Sequence, residues 1–179
     1  AALSSDQVAS LATEALASLD GTQVNGLASE DLAAMSSAQV ASLATEALAS
    51  LDGTQVDGLA SEDLAAMSST QVAALATDAL ASLDGTQVDG LASEDLAAMS
   101  STQVAALATD AVASLDGTQV NGLASEDLAA MSSTQVAALT TEALASLDGT
   151  QVNGLASEDL AAMSSTQVAA LTTEALASL

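Results

Sequence analysis

The chain has 179 residues with 24 acidic side chains and no lysine, arginine or histidine, so its formal net charge is −24. Binding to nucleic acid by counterion release and attraction to anionic lipid both require Lys or Arg, so both are excluded as partners. Half of the residues are hydrophobic, but none is aromatic and none is cysteine, which predicts a thin core without disulfides. No apolar run approaches the ~20 residues of a membrane span.

After its first three residues the chain is an unbroken series of 22 eight-residue units, here called octads. Position 5 of each octad is Val or Leu, and position 8 is Leu or Met. Four octad types alternate in fixed order: DGTQVNGL at 20–27 (the DG octad), ASEDLAAM at 28–35 (AS), SSAQVASL at 36–43 (SS) and ATEALASL at 44–51 (AT). This order gives a 32-residue superperiod.

No boundary or linker interrupts this pattern, so residues 1–179 form a single repeat array. The apolar positions run to both ends without a polar cap. We therefore expect an apolar cross-section at each end, around Val8 and Leu11 and around Leu176 and Leu179. Such ends are typical of a fragment of a longer chain or of a filament.

The spacing i, i+3 between positions 5 and 8 is helical, and Ala, Leu, Gln and Glu favour helix over strand. One continuous helix fails, because eight residues at ~100° each rotate the apolar pair by about 80° per octad. Capping boxes mark the interruptions, as in the S-x-x-Q sequence at 36–39 and the D-x-x-Q sequence at 20–23. Asp-Gly and Asn-Gly pairs are expected to supply permissive residues at helix ends.

Between Val40 and Leu51 the apolar residues follow i, i+3, i+4, i+7, i+8, i+11, so the SS and AT octads are expected to fuse into one helix of ~12 residues. The DG octads match this pattern less well because Gly26 lies mid-way. The fold class predicted is all-α: a tight α-solenoid of short helices with an 8-residue unit, a 16-residue coil and about eleven coils. A β-solenoid and a disordered chain are the alternatives.

In this solenoid the Val-type octads lie on one side and the Leu-type octads on the other. The predicted core is Val40, Leu43, Leu48 and Leu51 with their equivalents. Gln39 and Glu46 are expected near the surface, and the acids are expected to recur along one side, coil above coil, at Glu14, Glu30, Glu46 and Glu62.

The usual catalytic bases, nucleophiles and oxyanion clamps are missing, so no enzyme and no catalytic or cofactor-binding residue is predicted. Adjacent acids such as Glu30 and Asp31 recur five times, but neighbouring helix residues point about 100° apart and do not form a facing dyad. The segment 52–58 carries two acids but lacks the D-x-D-x-D-G spacing of a calcium loop. No specific metal ligand is assigned, and diffuse or weak Ca²⁺ association with an acidic surface is the favoured interpretation.

Two polar series remain open. Gln at position 4 of every second octad, from Gln7 to Gln167, is either a capping-box partner or part of an amide ladder that bonds coil to coil. Thr22, Thr54 and Thr70 form a hydroxyl file that would suit ice or a polysaccharide lattice, although threonine at a helix start is the commoner reading.

The sequence around 131–144, L/M-S-S-T-Q-V-A-A-L-T-T-E-A-L, resembles the L-T-T-x-Q-I-x-x-L repeats of very large bacterial surface and secreted proteins, described as adhesin or haemolysin-like. The resemblance implies an extracellular or cell-surface extender without catalytic residues. We therefore expect a thin acidic rod of ~100 Å, at a rise of about 8–10 Å per coil. The alternative is a self-assembling filament or sheath, whose partners are copies stacked head to tail, with lateral association as a further option. A specific calcium-, ice- or polysaccharide-binding surface is less favoured.

Overall fold

The fold is described from a computed structural model that covers residues 3–179. Within these residues every octad forms one short helix, giving 22 helices and no strand. The predicted all-α solenoid with an 8-residue unit is confirmed.

The helices are four to six residues long, and a short extended junction separates each helix from the next. Their bounds are Ser5–Ala9 (α1), Thr13–Leu16 (α2), Gly21–Val24 (α3), Ser29–Ala33 (α4), Ser37–Val40 (α5), Thr45–Leu48 (α6), Gly53–Val56 (α7), Ser61–Ala66 (α8), Ser69–Val72 (α9), Thr77–Leu80 (α10), Gly85–Val88 (α11), Ser93–Ala98 (α12), Ser101–Ala106 (α13), Thr109–Ser114 (α14), Gly117–Val120 (α15), Ser125–Ala130 (α16), Ser133–Ala138 (α17), Thr141–Ser146 (α18), Gly149–Val152 (α19), Ser157–Ala162 (α20), Ser165–Ala170 (α21) and Thr173–Leu176 (α22).

Each helix begins after an extended residue at position 1 of the octad. In the DG and SS octads this residue is Asp or Ser, and its side chain accepts the backbone N–H of the Gln at position 4, as predicted for a capping box. The expected 12-residue helix from Val40 to Leu51 is wrong. Helix α5 ends at Val40, and Ala44 is extended (φ −66°, ψ 150°) before α6 begins. A straight helix would lead the chain away from the axis, whereas the extended junction bends it back so that both apolar positions stay buried.

Turns of the solenoid stack through helices that lie three octads apart. Helix α11 packs against α8 on one side and α14 on the other, and the same rule holds along the array. The side-chain hydrogen bonds between turns join residues 26 to 31 positions apart. One turn therefore takes about three and a half octads. The predicted 16-residue coil is wrong, because one extended junction per octad redirects the chain by much less than half a turn.

This turn length changes where octads of one type lie. Residues 16 positions apart fall on roughly opposite sides of the axis, so the Val-type and Leu-type octads do not segregate to two sides. For the same reason the acids Glu14, Glu30, Glu46 and Glu62 do not form one file. They alternate between sides and spread around the cylinder.

The array is also shorter than predicted. With roughly six turns at 8–10 Å each, it is about 50–60 Å long instead of ~100 Å. Its accessible surface is 7814 Å² for 17.3 kDa, which matches the ~7,800 Å² typical of a globular monomer of that mass. The structure is a short cylinder with an ordinary surface-to-mass ratio.

The predicted core is confirmed. Val40, Leu43, Leu48 and Leu51 are all buried and belong to one continuous apolar cluster along the axis. The equivalent alanines of the later AT octads are buried as well, a small-residue contribution that sequence reasoning missed: Ala47, Ala79, Ala111, Ala143 and Ala175. Glu46 is exposed as expected, but Gln39 is only 7% exposed, so its predicted surface location is wrong.

The glycines of the DG octads serve close packing between turns. None of the described glycines has a positive φ, so the expected role as permissive helix-end residues is wrong. A Cβ at Gly90 would lie 2.0 Å from the Ser61 carbonyl oxygen of the previous turn. Gly26 occupies the same octad position in the first turn, where a Cβ would meet only the Gln23 carbonyl oxygen, at 3.2 Å.

These two glycines form a matched pair for testing the stacking. Gly90→Ala should lower the free energy of unfolding by about 1–3 kcal/mol, because backbone atoms must move to admit the methyl group. Gly26→Ala should leave the stability unchanged or raise it slightly, because the unfolded chain loses freedom. Urea unfolding followed by circular dichroism gives both values. Equal midpoints for the two variants would contradict the assigned stacking.

Candidate functional site

The best-defined polar feature is a glutamine that joins two turns of the solenoid. Gln87 Oε1 accepts the backbone N–H of Asp84 at 3.0 Å, which completes the capping box of its own helix. Its Nε2 donates to the carbonyl oxygens of Val56 (2.9 Å) and Leu59 (2.8 Å), four octads earlier. Val56 is the last residue of the earlier helix, and its carbonyl also accepts the Leu59 N–H at 2.9 Å, whereas the Leu59 carbonyl follows the helix and takes its hydrogen bond from the glutamine. One amide thus satisfies the start of one helix and the end of another.

This contact, here called the glutamine clamp, repeats through the array with nearly constant geometry. It is made by Gln39, Gln55, Gln71, Gln87, Gln103, Gln119, Gln135, Gln151 and Gln167. The two interpretations left open, a capping partner and a coil-to-coil amide ladder, are therefore both correct. Gln7 and Gln23 cap their own helices but stay exposed, because no turn of the described chain precedes them.

The AS octads place an aspartate where the DG and SS octads place glutamine. Asp127 is 5% exposed; its Oδ2 accepts the Ala124 N–H at 2.8 Å, and its Oδ1 accepts the Ser101 hydroxyl at 2.7 Å from the previous turn. The adjacent Glu126 is exposed and accepts the Ser125 hydroxyl at 3.0 Å. The paired acids thus have separate surroundings: the aspartate holds the backbone, and the glutamate faces solvent.

The two acids of the segment 52–58 have different local surroundings. Asp52 Oδ1 accepts the Gln55 N–H at 2.9 Å as a helix cap, and Asp57 is an exposed residue at the end of the same helix. Within residues 3–179 no three acidic side chains converge in a way that would hold a metal ion. Diffuse or weak association of cations stays a prediction.

Shallow concavities of about 500–630 Å³ recur on the surface every 32 residues. One is lined by Asp57, Glu62, Asp84 and Thr86, and the next copies repeat these positions with Asn or Asp at the first. The exposed threonines Thr86, Thr118 and Thr150 therefore line separate open hollows. Successive copies are rotated about the axis, so they do not make the flat file that an ice or polysaccharide lattice requires.

The two ends of the cylinder present different apolar residues. In the interior, positions 5 and 8 are both buried, but in the first turn only position 8 is uncovered: Leu3 is 48% exposed and Leu11, Leu19 and Leu27 are partly buried. In the last turn position 5 is uncovered, with Leu176 38% exposed and Leu160 and Val168 partly buried; the last residue, Leu179, is at position 8 and is an exception, at 56% exposed. Position 8 is thus covered by the preceding turn and position 5 by the following turn. The expected exposure of Val8 is wrong, because the second turn covers it completely.

Comparison with known families supports a repeat protein. Residues 88–125 and 120–157 each match the ALTTAQ repeat. Within the second segment the sequence Ala130–Gln135, AMSSTQ, has the same order of apolar, hydroxyl and amide residues, and it spans the helix junction, the cap and the clamp glutamine. A search of curated proteins found no match. None of the helices in the described part of the chain is long and apolar enough to cross a bilayer.

The glutamine clamp can be tested with two residues of the same octad type. Gln87→Ala leaves the buried Leu59 carbonyl without a partner, at about 1–3 kcal/mol, and also removes the cap at Asp84, at about 1 kcal/mol, so it should cost about 2–4 kcal/mol in all. Gln23→Ala removes only the cap and should cost about 1 kcal/mol or less. Thermal and urea unfolding measure the difference. If both variants lose the same stability, the inter-turn bonds contribute nothing and only the cap matters.

The distribution of acidic residues predicts how the melting temperature depends on salt. The exposed acids spread around the cylinder without a single cation among them, so they repel one another at low ionic strength. The melting temperature should rise steadily between about 10 mM and 1 M NaCl as the Debye length falls from ~30 Å to ~3 Å. A variant with Glu30, Glu46, Glu62 and Glu94 changed to Gln should show a shallower rise. A melting temperature that stays flat for the parent chain would refute this account.

Proposed function

We propose that the chain is a structural extender, a stalk section of a large extracellular protein of the bacterial surface. The observation that carries the proposal is that the polar side chains at positions 1 and 4 of the octads are used to bond backbone, within a helix or between turns. The clamp glutamines, the capping aspartates and the buried AS-octad aspartates all bond to backbone. Such an array has length as its main adjustable property, because further turns repeat the same contacts.

Two further observations favour the cell-surface setting. The residues that match the ALTTAQ repeat overlap the L-T-T-x-Q-like sequence that resembles repeats of giant bacterial surface proteins. The chain also lacks Lys, Arg and aromatic residues, so trypsin-like and chymotrypsin-like proteases have no preferred cleavage residue in it. Antibody labelling of intact cells of the organism that makes the chain tests this location. Signal that appears only after lysis would contradict it.

The alternative is a filament assembled from separate chains, which the exposed ends fit equally well. The ends expose apolar residues that the interior covers with the next turn. A continued chain and a docked second copy would both cover them. The extender proposal is therefore tested on length within a single chain.

Duplication of residues 84–115 inserts one full superperiod and keeps every octad opposite its usual partner. It should lengthen the monomer by about 10 Å at constant diameter, as measured by small-angle X-ray scattering. A compact particle of unchanged maximum dimension would sink the extender proposal.

Duplication of residues 84–99 is the matched control, because it inserts two octads and breaks the cycle of types. In the parent chain Gly122 packs against the Ser93 carbonyl, and a Cβ at Gly122 would lie 2.0 Å from that carbonyl oxygen. The insertion would place Ala106, which has a Cβ, at this contact. This shorter insertion should therefore melt at a lower temperature than either the parent chain or the 32-residue insertion. A 16-residue insertion as stable as the 32-residue one would show that the superperiod has no structural role.

A further inference from the structure

The DG octads carry a pair of residues after the helix that neither the caps nor the side chains of the glutamine clamp use. Position 6 is asparagine in three DG octads and aspartate in two, whereas position 7 is always glycine. In an Asn-Gly pair the glycine nitrogen can attack the asparagine side chain, because glycine has no Cβ to hinder the approach. Asn121 is exposed and lines one of the open hollows, so water reaches its side-chain amide.

The native backbone holds Asn121 in a conformation that cannot undergo this reaction. Asn121 ends its helix at ψ −18°, and the N–H of Gly122 donates to the Gln119 carbonyl at 2.9 Å. The ring formed by the attack contains the Cα–C bond of the asparagine, so closing it requires ψ to rotate far from the helical value. The attacking nitrogen must also lose its hydrogen bond. Asn25 is held in the same way, at ψ −16°.

Stacking of the turns restrains this pair from both sides. A Cβ at Gly122 would lie 2.0 Å from the Ser93 carbonyl oxygen, so the glycine is in close contact with the preceding turn. From the following turn, Gln151 Nε2 donates to the carbonyls of Val120 (2.9 Å) and Leu123 (2.8 Å), which flank the pair. The asparagine can therefore reach the reactive conformation only when the clamp opens locally.

We propose that Asn121 is a site of spontaneous deamidation, which stacking of the turns suppresses and local opening of the clamp exposes. The Gly122 nitrogen loses its proton to solvent base and forms a bond to Asn121 Cγ, while the side-chain nitrogen takes up a proton and leaves as ammonia. One water molecule then opens the cyclic imide. Attack at Cγ gives aspartate, and attack at the main-chain carbonyl carbon gives isoaspartate. One water is consumed and one ammonia is released, so no other reactant is needed.

The two products differ in how they fit the array. Aspartate fits, because Asp57 and Asp89 occupy the same octad position with the same helical backbone, at ψ −20° and −21°. Isoaspartate carries the main chain through its side chain and so adds one methylene group to the backbone beside Gly122. That glycine has no spare room against the Ser93 carbonyl. Conversion to isoaspartate should therefore prevent the two turns from packing in register.

The first measurement compares the folded full chain with a synthetic peptide of residues 116–123 in mildly alkaline buffer. The peptide supplies the rate without the fold, because a helix of this length is unstable alone. Cleavage after glutamate releases residues 95–126 from the chain, and Asn121 is the only asparagine in that fragment. Deamidation measured by mass spectrometry should be at least tenfold slower in the folded chain. Equal rates would overturn the proposal.

A matched pair of clamp variants tests whether the opening is local. Gln55 bonds to the carbonyls that flank Asn25 as Gln151 does for those that flank Asn121, and the two asparagines lie in identical octads. Gln151→Ala should accelerate deamidation at least threefold at Asn121 and leave Asn25 within about twofold of its own parental rate. Gln55→Ala should do the reverse. Equal acceleration of both sites by either variant would show that only global unfolding matters, and the local mechanism would be wrong.

Two controls complete the design. The clamp variants and their parent carry Asn153→Ser, because cleavage after glutamate otherwise gives identical fragments from 15–30 and 143–158. Asn121→Asp reproduces the first product and should melt within experimental error of the parent, whereas aged chain that contains isoaspartate at this position should melt at a lower temperature. Equal melting of the two products would contradict the close contact assigned to the glycine. This modification goes beyond the extender role, and none of these results depends on it.

Discussion

The structure depends on the contact between a glutamine amide and the carbonyls that end a helix of the previous turn. Helices of four to six residues leave most of their backbone groups unpaired at one end or the other, and isolated helices of this length are unstable in water. The glutamine clamp stabilises two helices at once, because the same side chain caps the start of one helix and bonds to carbonyls at or just after the end of another. The apolar residues then need to supply only a narrow core, which suits a chain without aromatic side chains.

The turn length explains why the sequence repeats every 32 residues when the structural unit has eight. Helices pack three octads apart and the types cycle in four, so each type always meets the type that comes before it in the cycle. The AS octad, with Ser61 at the contact, meets the DG octad, which offers Gly90. The DG octad, with Gly85, meets the AT octad, which offers Ser114 and its hydroxyl bond to the Gly85 carbonyl. The four types are thus fitted to one another through their small residues.

The carboxylates also have distinct roles at different octad positions. Carboxylates at positions 1 and 4 bond to backbone N–H groups, where the start of a helix favours negative charge. The others, mostly at position 3, are exposed to solvent and distributed around the cylinder. The lateral surface is therefore acidic and polar.

The sequence by itself determined the helical class, the octad frame, the capping boxes and the buried residues such as Val40 and Leu48. Each of these follows from local spacing and from the chemistry of residues three or four positions apart. The number of octads per turn was decided only by tertiary structure, because it depends on how far each extended junction, such as Ala44, redirects the chain. Local periodicity cannot report that angle, and a 16-residue coil fitted the alternation of types equally well.

The burial of Gln39 and the role of Gly90 were likewise invisible to local reasoning, since their partners lie about 30 residues away in the preceding turn. The end faces follow the same rule. Position 5 and position 8 look equivalent in the sequence, and only the stacking direction shows that one needs the next turn and the other the previous one. Contacts within one octad could be predicted directly from the sequence. Contacts between turns could not, because they depend on which residues the stacking of turns brings together.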